Sequence, residues 1–258
     1  MAELTLMCPT KGRGDKLHLM FESLLDMCDD PRNFEILMAW DLEDEETGEW
    51  LERCKHIYTA LNIRVMGRPH SDNLSEDYFN WMVRAYPDRK LYWAIGDDVR
   101  MHTRGWDTGV IADTEAYFSD KPDRIGLCFA QDLHPTDKGD IGYEWGCFPI
   151  LTREAVECLG WFFPEECITW EADVLMAKIF HDPRVDRLHM IDGVVIDQIS
   201  YHAYPEVSRD NTALSMRQRH TNPIYKSRLA WYKHNQLGVD TMRVAEGIQN
   251  GMAKAEPV

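Results

Sequence analysis

Leu91-Tyr92-Trp93-Ala94-Ile95-Gly96-Asp97-Asp98-Val99 is the stretch whose reading decides the fold. An apolar run ends abruptly at a glycine and two adjacent carboxylates. Such a run, bounded by glycine, reads as a buried strand. In an open α/β sheet, ligands bind beyond the carboxyl ends of the strands. Two acids there, in a chain with no Walker-type lysine motif, suit a hard divalent cation that bridges protein to phosphate. The plain alternative is a strand followed by a solvated turn, because Asp is a common turn residue.

The upstream segments supply the rest of such a sheet. Leu4-Thr5-Leu6-Met7-Cys8 reads as a first strand, and Pro9-Thr10-Lys11-Gly12-Arg13-Gly14-Asp15 follows as a polar, cationic loop. Leu17, Met20, Phe21, Leu24, Leu25 and Cys28 recur at helical spacing. That helix stops near Pro31, which cannot continue it. Phe34 to Trp40 is a second strand ending at Asp41, and acids crowd the chain from there to Glu52, as suits a helix entrance. Leu51, Cys54, Tyr58 and Leu61 continue a helical face. Ile63 to Met66 is a third strand with the exit loop Gly67-Arg68-Pro69-His70, and Leu74, Tyr78, Trp81, Met82 and Ala85 mark a helix stopped at Pro87. Strand and helix alternate up to the central strand, which argues for a parallel sheet with helices on both faces.

Beyond Asp98 the pattern changes. Arg124 to Phe129 and Trp145 to Leu151 read as strands, separated by a polar loop from Gln131 to Glu144. Arg153 to Leu159 is a short helix and Trp161-Phe162-Phe163-Pro164 an aromatic loop. Trp170-Glu171-Ala172-Asp173 opens a helix that carries Val174, Leu175, Ala177, Lys178 and Ile179. Met190 to Ile196 is the last strand, leading into Asp197-Gln198-Ile199-Ser200-Tyr201-His202. From Glu206 the chain is polar and reads as a helical appendage rather than a second cored domain.

The totals bound the function classes. The 258 residues are 44% hydrophobic and 28% charged, enough to build a proper core. A net charge of −16 argues against a surface that grips nucleic acid or an anionic membrane as a whole. One segment departs from that balance: between Asn211 and Val239 there is no Asp or Glu, but there are Arg217, Arg219, Lys226, Arg228 and Lys233. The seven Cys are an odd number with no CxxC spacing, and Cys8, Cys128 and Cys147 sit in apolar runs, which points to thiols in a reduced, cytoplasmic setting. No basic leader with a long apolar stretch opens the chain, and no segment approaches 18 apolar residues, so no membrane partner is expected.

Four separated pieces together resemble one family. Leu6-Met7-Cys8-Pro9-Thr10-Lys11-Gly12-Arg13, Ile36 to Asp41, Gly96-Asp97-Asp98-Val99 and Trp170-Glu171-Ala172-Asp173 are similar to a family 2-like nucleotide-sugar glycosyltransferase of the GT-A fold. The resemblance covers roughly residues 4 to 203. It implies a Rossmann-type, mixed but mainly parallel sheet flanked by helices. Residues 1–205 would be the GT-A-like domain, with 1–100 the nucleotide-binding half and 101–205 the acceptor-side half, and 206–258 a helical C-terminal extension. It also implies a nucleotide-diphosphate sugar donor, a UDP-sugar first, a divalent Mn²⁺ or Mg²⁺, and inverting transfer to an acceptor hydroxyl.

Carried over residue by residue, the resemblance makes Pro9 and Thr10 the shapers of the nucleoside loop and Arg13 a contact to the donor diphosphate, against the alternative of a solvated loop cation. Asp41 stands where a carboxylate accepts the imide N–H of uracil, or belongs to the acidic helix entrance. Arg68 is a further donor-site candidate or a loop cation beside Pro69. Asp97 would hold the ribose or a metal-bound water and Asp98 would ligate the metal. Gly96 departs from the family's signature, in which a first acid often stands there. His202 would add an imidazole ligand, which favours Mn²⁺. Asp173 would be the catalytic base with Glu171 as the alternative, and either acid would otherwise serve as a helix cap. Trp145, Trp161, Phe162, Phe163 and Trp170 are sugar-stacking candidates that as a group are more readily core.

Some viral glycosyltransferases that decorate hydroxymethylated bases resemble this compact plan, which makes modified DNA one acceptor to consider, gripped by Arg217, Arg219, Lys226, Arg228 and Lys233. Two competing functions remain open at this point: a nucleotidyltransferase that uses Asp97 and Asp98 with a metal, and a non-catalytic nucleotide-sugar-binding module.

Overall fold

The computed structural model describes residues 2–133, 147–168, 171–198 and 223–255. The chain runs β1 (Leu4–Thr10), α1 (Gly14–Met27), β2 (Phe34–Asp41), α2 (Glu45–Ile57) and β3 (Ile63–Arg68). A π-helical turn (Ser75–Asn80) leads into α3 (Trp81–Ala85), followed by β4 (Leu91–Ala94), β5 (Val99–Met101) and α4 (Trp106–Tyr117). The second half holds β6 (Leu127–Asp132), β7 (Pro149–Thr152), α5 (Arg153–Leu159), α6 (Ala172–His181), β8 (Leu188–Gln198), α7 (Pro223–Asn235) and α8 (Leu237–Ala255).

The strands form one sheet in the order β3-β2-β1-β4-β7-β6-β8-β5. β1 pairs in parallel with both β2 and β4, and β2 in parallel with β3. β7 is antiparallel to both β4 and β6, so β6 runs the same way as β4, and β8 is parallel to β6. One edge of the sheet therefore collects the carboxyl ends of β1, β2, β4, β6 and β8 and the entrance to β7. The chain leaves β1 toward β2 and β3 and returns to β4 on the other side. That places the topological switch point, where α/β sheets bind ligands, between β1 and β4.

Alternate strand residues feed two cores, one on each face, as the twofold repeat of a strand requires. Met7, Leu37, Tyr92, Leu127, Phe129 and Leu151 face α3, α5 and α6. Leu6, Ile36, Met38, Trp93, Cys128 and Ile150 face α1, α2 and α4. Tyr225, Leu229 and Tyr232 of α7 and Val244, Ala245 and Ile248 of α8 belong to the first of these cores, so the C-terminal helices share the sheet's own packing. Phe162 and Phe163 of the aromatic loop are buried against Phe79. Asn80 pins them there: its Oδ1 accepts the N–H groups of Phe162 at 2.8 Å and Phe163 at 3.0 Å. All seven cysteines are free thiols, with Cys8 and Cys128 fully buried. Among the described residues no helix is long and apolar enough to cross a membrane.

Several elements differ from the sequence-based expectation. The strand expected from Arg124 starts instead at Leu127, because Arg124 adopts a left-handed φ of 53° in a turn where Asp123 accepts the N–H of Ile125. β7 starts at Pro149 rather than Trp145, and Trp145 lies outside the described residues. The last strand is longer than expected, from Leu188 to Gln198. β5 and α4 were not anticipated. The buried face of α4 includes Asp107 and Thr114, which dilute its apolar period. Asp107 is buried because its carboxylate accepts the N–H groups of Asp29 and Asp30 and the amide of Asn33, tying down the link between α1 and β2.

Candidate active site at the carboxyl edge of the sheet

The loop after β1 is shaped first by its own glycine. Gly12 takes a left-handed φ of 62°, and its N–H donates to Asp44 Oδ2 at 2.7 Å and Thr47 Oγ1 at 3.1 Å. Asp44 also caps α2 by accepting the N–H of Thr47, so the loop is tied to a helix start. Arg13 is thereby turned toward β4. Its Nη1 donates to Asp97 Oδ1 at 2.7 Å, and Thr10 Oγ1 donates to Asp97 Oδ2 at 2.9 Å. Both oxygens of Asp97 are engaged by the β1 loop, and Asp97 is only 5% exposed. Burial pushes the Asp97 carboxyl pKa up, Arg13 opposes this, and the neighbouring Asp98 charge adds to the rise, leaving it above the usual range. Pro9 lies within β1, paired with Ala39 of β2.

Asp98 is placed differently. Its Oδ2 stands 3.9 Å from Arg13 Nη1. Its Oδ1 folds back over Gly96, where a Cβ would lie only 2.7 Å away. The glycine that departs from the family's signature is thus what makes room for the Asp98 carboxylate.

Asp41 ends β2 and is 2% exposed, ahead of α2 rather than part of its acidic entrance. Tyr78 donates its hydroxyl to Oδ1, while Lys11 Nζ lies 2.8 Å and His70 Nδ1 2.6 Å from Oδ2. Burial works to raise the Asp41 pKa, but the hydrogen bonds from Lys11, Tyr78 and His70 outweigh it and hold the carboxyl below its usual value. Arg68 packs against the Tyr78 ring. Its guanidinium carbon is 4.9 Å from the Tyr78 ring centre and 5.6 Å from that of Trp81, and Nη2 is 3.1 Å from Asp77.

The second half contributes another group of acids. Asp132 ends β6, and its Oδ2 accepts from Gln198 Nε2 of β8 at 3.3 Å. Glu171, in a left-handed conformation with φ 73°, precedes α6 and accepts the helix's early N–H from Leu175 at 3.0 Å. Its carboxylate receives an ion pair from Lys233 of α7. Asp173, in the first turn of α6, is partly buried and accepts the N–H of Val174 at 2.9 Å. Burial raises its pKa to about 6; the N–H groups pull down, while Glu171 and Asp132 push up. Burial, with Asp173 and Asp132 nearby, also raises the Cys147 thiol.

Neither a protein-family profile nor a curated protein matches this sequence. Solved structures do. TarS residues 1–349 from S. aureus superimposes with a TM-score of 0.56 at 12% identity, over 99% of this chain and 73% of that one. The mannosyltransferase PcManGT from Pyrobaculum calidifontis, in complex with GDP-Man and Mn²⁺, gives a TM-score of 0.59 at 15% identity, over 99% of this chain and 76% of its own. GalNAc-T7 with UDP, GalNAc and Mn²⁺ gives 0.58 at 11% identity, over 77% of this chain and 44% of its own. The chain has the GT-A glycosyltransferase fold.

Within this GT-A fold, Thr10, Arg13, Asp97 and Asp98 form one contiguous group at the switch point. Asp41 forms a second group that sequence reading did not foresee in full, because Lys11, His70 and Tyr78 come from three separate segments. Asp132 was also missed; its position as the last residue of β6 was the available signal, hidden by the displaced strand start. His202, Trp170, Arg217 and Arg219 lie outside the described residues. Lys226 and Arg228 are exposed on α7, whereas Lys233 is paired with Glu171. Among the described residues no three or more His, Cys, Asp or Glu side chains gather into a metal-binding cluster.

Proposed function

We propose that this chain transfers a sugar from a nucleoside-diphosphate sugar, a UDP-sugar first, to an acceptor hydroxyl with inversion at the anomeric carbon. The observation that carries the reading is the arrangement at the end of β4. Arg13 holds Asp97 and leaves Asp98 3.9 Å away, seated in the space that Gly96 clears. A guanidinium beside a carboxylate at a sheet switch point suits a diphosphate and a hard cation.

The residues fit Mn²⁺ or Mg²⁺, because the carboxylate oxygen of Asp98 is a hard donor and such ions take most of their remaining ligands from phosphate and water. We assign Asp98 as one protein ligand and His202, which follows β8 in the sequence, as another. When bound, the cation neutralises charge that builds on the departing nucleoside diphosphate. Arg13 would add a donor to the same diphosphate oxygens. Asp41 would orient Lys11 and His70 toward the nucleobase, and Thr10 and Asp97 would set the ribose edge. Asp173 would accept the proton of the acceptor hydroxyl as its oxygen bonds to the anomeric carbon and the bond to the diphosphate breaks. A pKa of about 6 leaves Asp173 ionised yet basic near neutral pH. For a DNA acceptor, α7 offers Lys226 and Arg228, with Lys233 already committed to Glu171, so we name the acceptor only as a hydroxyl compound.

A donor screen with purified protein and Mn²⁺ tests this. Nucleoside diphosphate should be released from at least one UDP-sugar, and Asp98→Ala should cut that release on the order of 10³-fold, the loss of several kcal/mol of charge stabilisation. Pyrophosphate as the product would instead identify a nucleotidyltransferase. Donor binding without turnover would identify a binding module.

A further inference from the structure

Among the described residues of the basic segment, Lys233 reaches the acceptor side of the sheet. Lys233 projects from α7, and its Nζ forms an ion pair with Glu171 Oε2. Glu171 is a strained position: it is one of three non-glycine residues with positive φ among the described residues, and its side chain does not cap α6. A left-handed non-glycine residue persists only where its surroundings hold it. α7 is itself anchored, with Tyr225, Leu229 and Tyr232 buried in the core beside α6. Lys233 is therefore a fixed tether on the residue from which α6 starts, and Asp173 is two residues further on.

We propose that Lys233 is a positioning residue for the acceptor-side carboxylate Asp173, acting through its ion pair with Glu171. Among the described residues, the charged and titratable groups facing Asp173 are Glu171, Asp132 at the end of β6, Cys147 ahead of β7, and Cys167 in the loop before α6. Two of these are carboxylates, and Lys233 is the cation that offsets one of them. Without it, more of the Glu171 charge acts on Asp173 and makes the proton harder to remove. Loss of the link would also release the strained backbone at position 171. This inference rests on the reading of Asp173 as the proton acceptor, and it gives the helical extension a part in the site that fold likeness does not assign.

The test compares Lys233→Met and Lys233→Arg with the wild type by ¹³C NMR titration of carboxyl-labelled Asp, with Asp173→Asn locating the signal. The midpoint of Asp173 should move upward by about 0.5 to 1 in pH in Lys233→Met and stay in place in Lys233→Arg. The acid limb of the kcat profile for donor turnover should move by the same amount, with activity recovered at higher pH. The melting midpoint should change by no more than about 3 °C, the scale of an exposed ion pair. An unmoved Asp173 midpoint in Lys233→Met overturns the inference. Inactivity of the wild type toward every donor would instead defeat the transferase reading while the titration still decides the link.

Discussion

The two halves of the carboxyl edge handle their acids in opposite ways. On the β1–β4 side two carboxylates are held by side chains: Asp97 by Thr10 and Arg13, and Asp41 by Lys11, His70 and Tyr78. On the β6–α6 side Asp173 receives backbone N–H bonds and faces other acids, and Lys233 pairs with Glu171 rather than with Asp173 itself. The pKa directions follow: Asp41 is held low, whereas Asp173 is raised to about 6. A carboxylate that orients ligand contacts works best as a fixed charge. A carboxylate that takes a proton works best with its affinity near the working pH. Asp97 stands between these cases, held by side chains yet raised by burial, as suits a group that shapes the site without moving a proton.

That contrast is open to direct attack. Asp173→Asn should lower kcat by about 10²- to 10⁴-fold, the range for loss of a general base, while leaving nucleotide affinity unchanged by calorimetry. Equal loss of binding would erase the distinction between the two halves. Arg13→Lys should weaken nucleoside diphosphate binding by roughly ten- to a hundredfold, because it removes a charge-assisted bond of about 1.5–3 kcal/mol. Its kcat should fall less than that of Asp173→Asn.

Stability should separate the halves by sign. Asp173 binds its proton more tightly folded than unfolded, so its contribution is fullest below the ordinary 3.8 and is lost as pH rises through about 6. Asp41 is depressed on folding, so its contribution is present above its unfolded value and lost as pH falls. Denaturant melts of Asp173→Asn should therefore show a gain of about 1–2 kcal/mol at pH 8 that vanishes near pH 4. Asp41→Asn should lose stability at pH 8. The smallest effect is expected at Gly96. An Ala Cβ there meets Asp98 Oδ1 at 2.7 Å, and because that oxygen ends a movable side chain, Gly96→Ala should raise the Mn²⁺ concentration for half activity only several-fold, within the scale of perturbed ligand orientation, about 10-fold.

Much of the first half was legible because its information is local. The strand and helix periods from Leu4 to Ala94, the acid that ends β2 and the acids that follow β4 can be read within short windows. The second half resisted because its signals are mixed. α4 buries an aspartate and a threonine among its apolar residues, and a left-handed Arg124 delays β6. Asp132, at the carboxyl end of that displaced strand, was lost with it.

The sequence by itself determined the alternation of elements, the α/β class and the carboxylates standing at strand and helix ends. These depend on residue period and on caps and breakers a few residues apart. Only the tertiary structure decided what those carboxylates are. Thr10 and Arg13 meet Asp97 from 87 and 84 residues away, and Lys233 meets Glu171 across 62. Burial and long-range neighbours set a carboxylate's charge, and neither is written in the residues beside it.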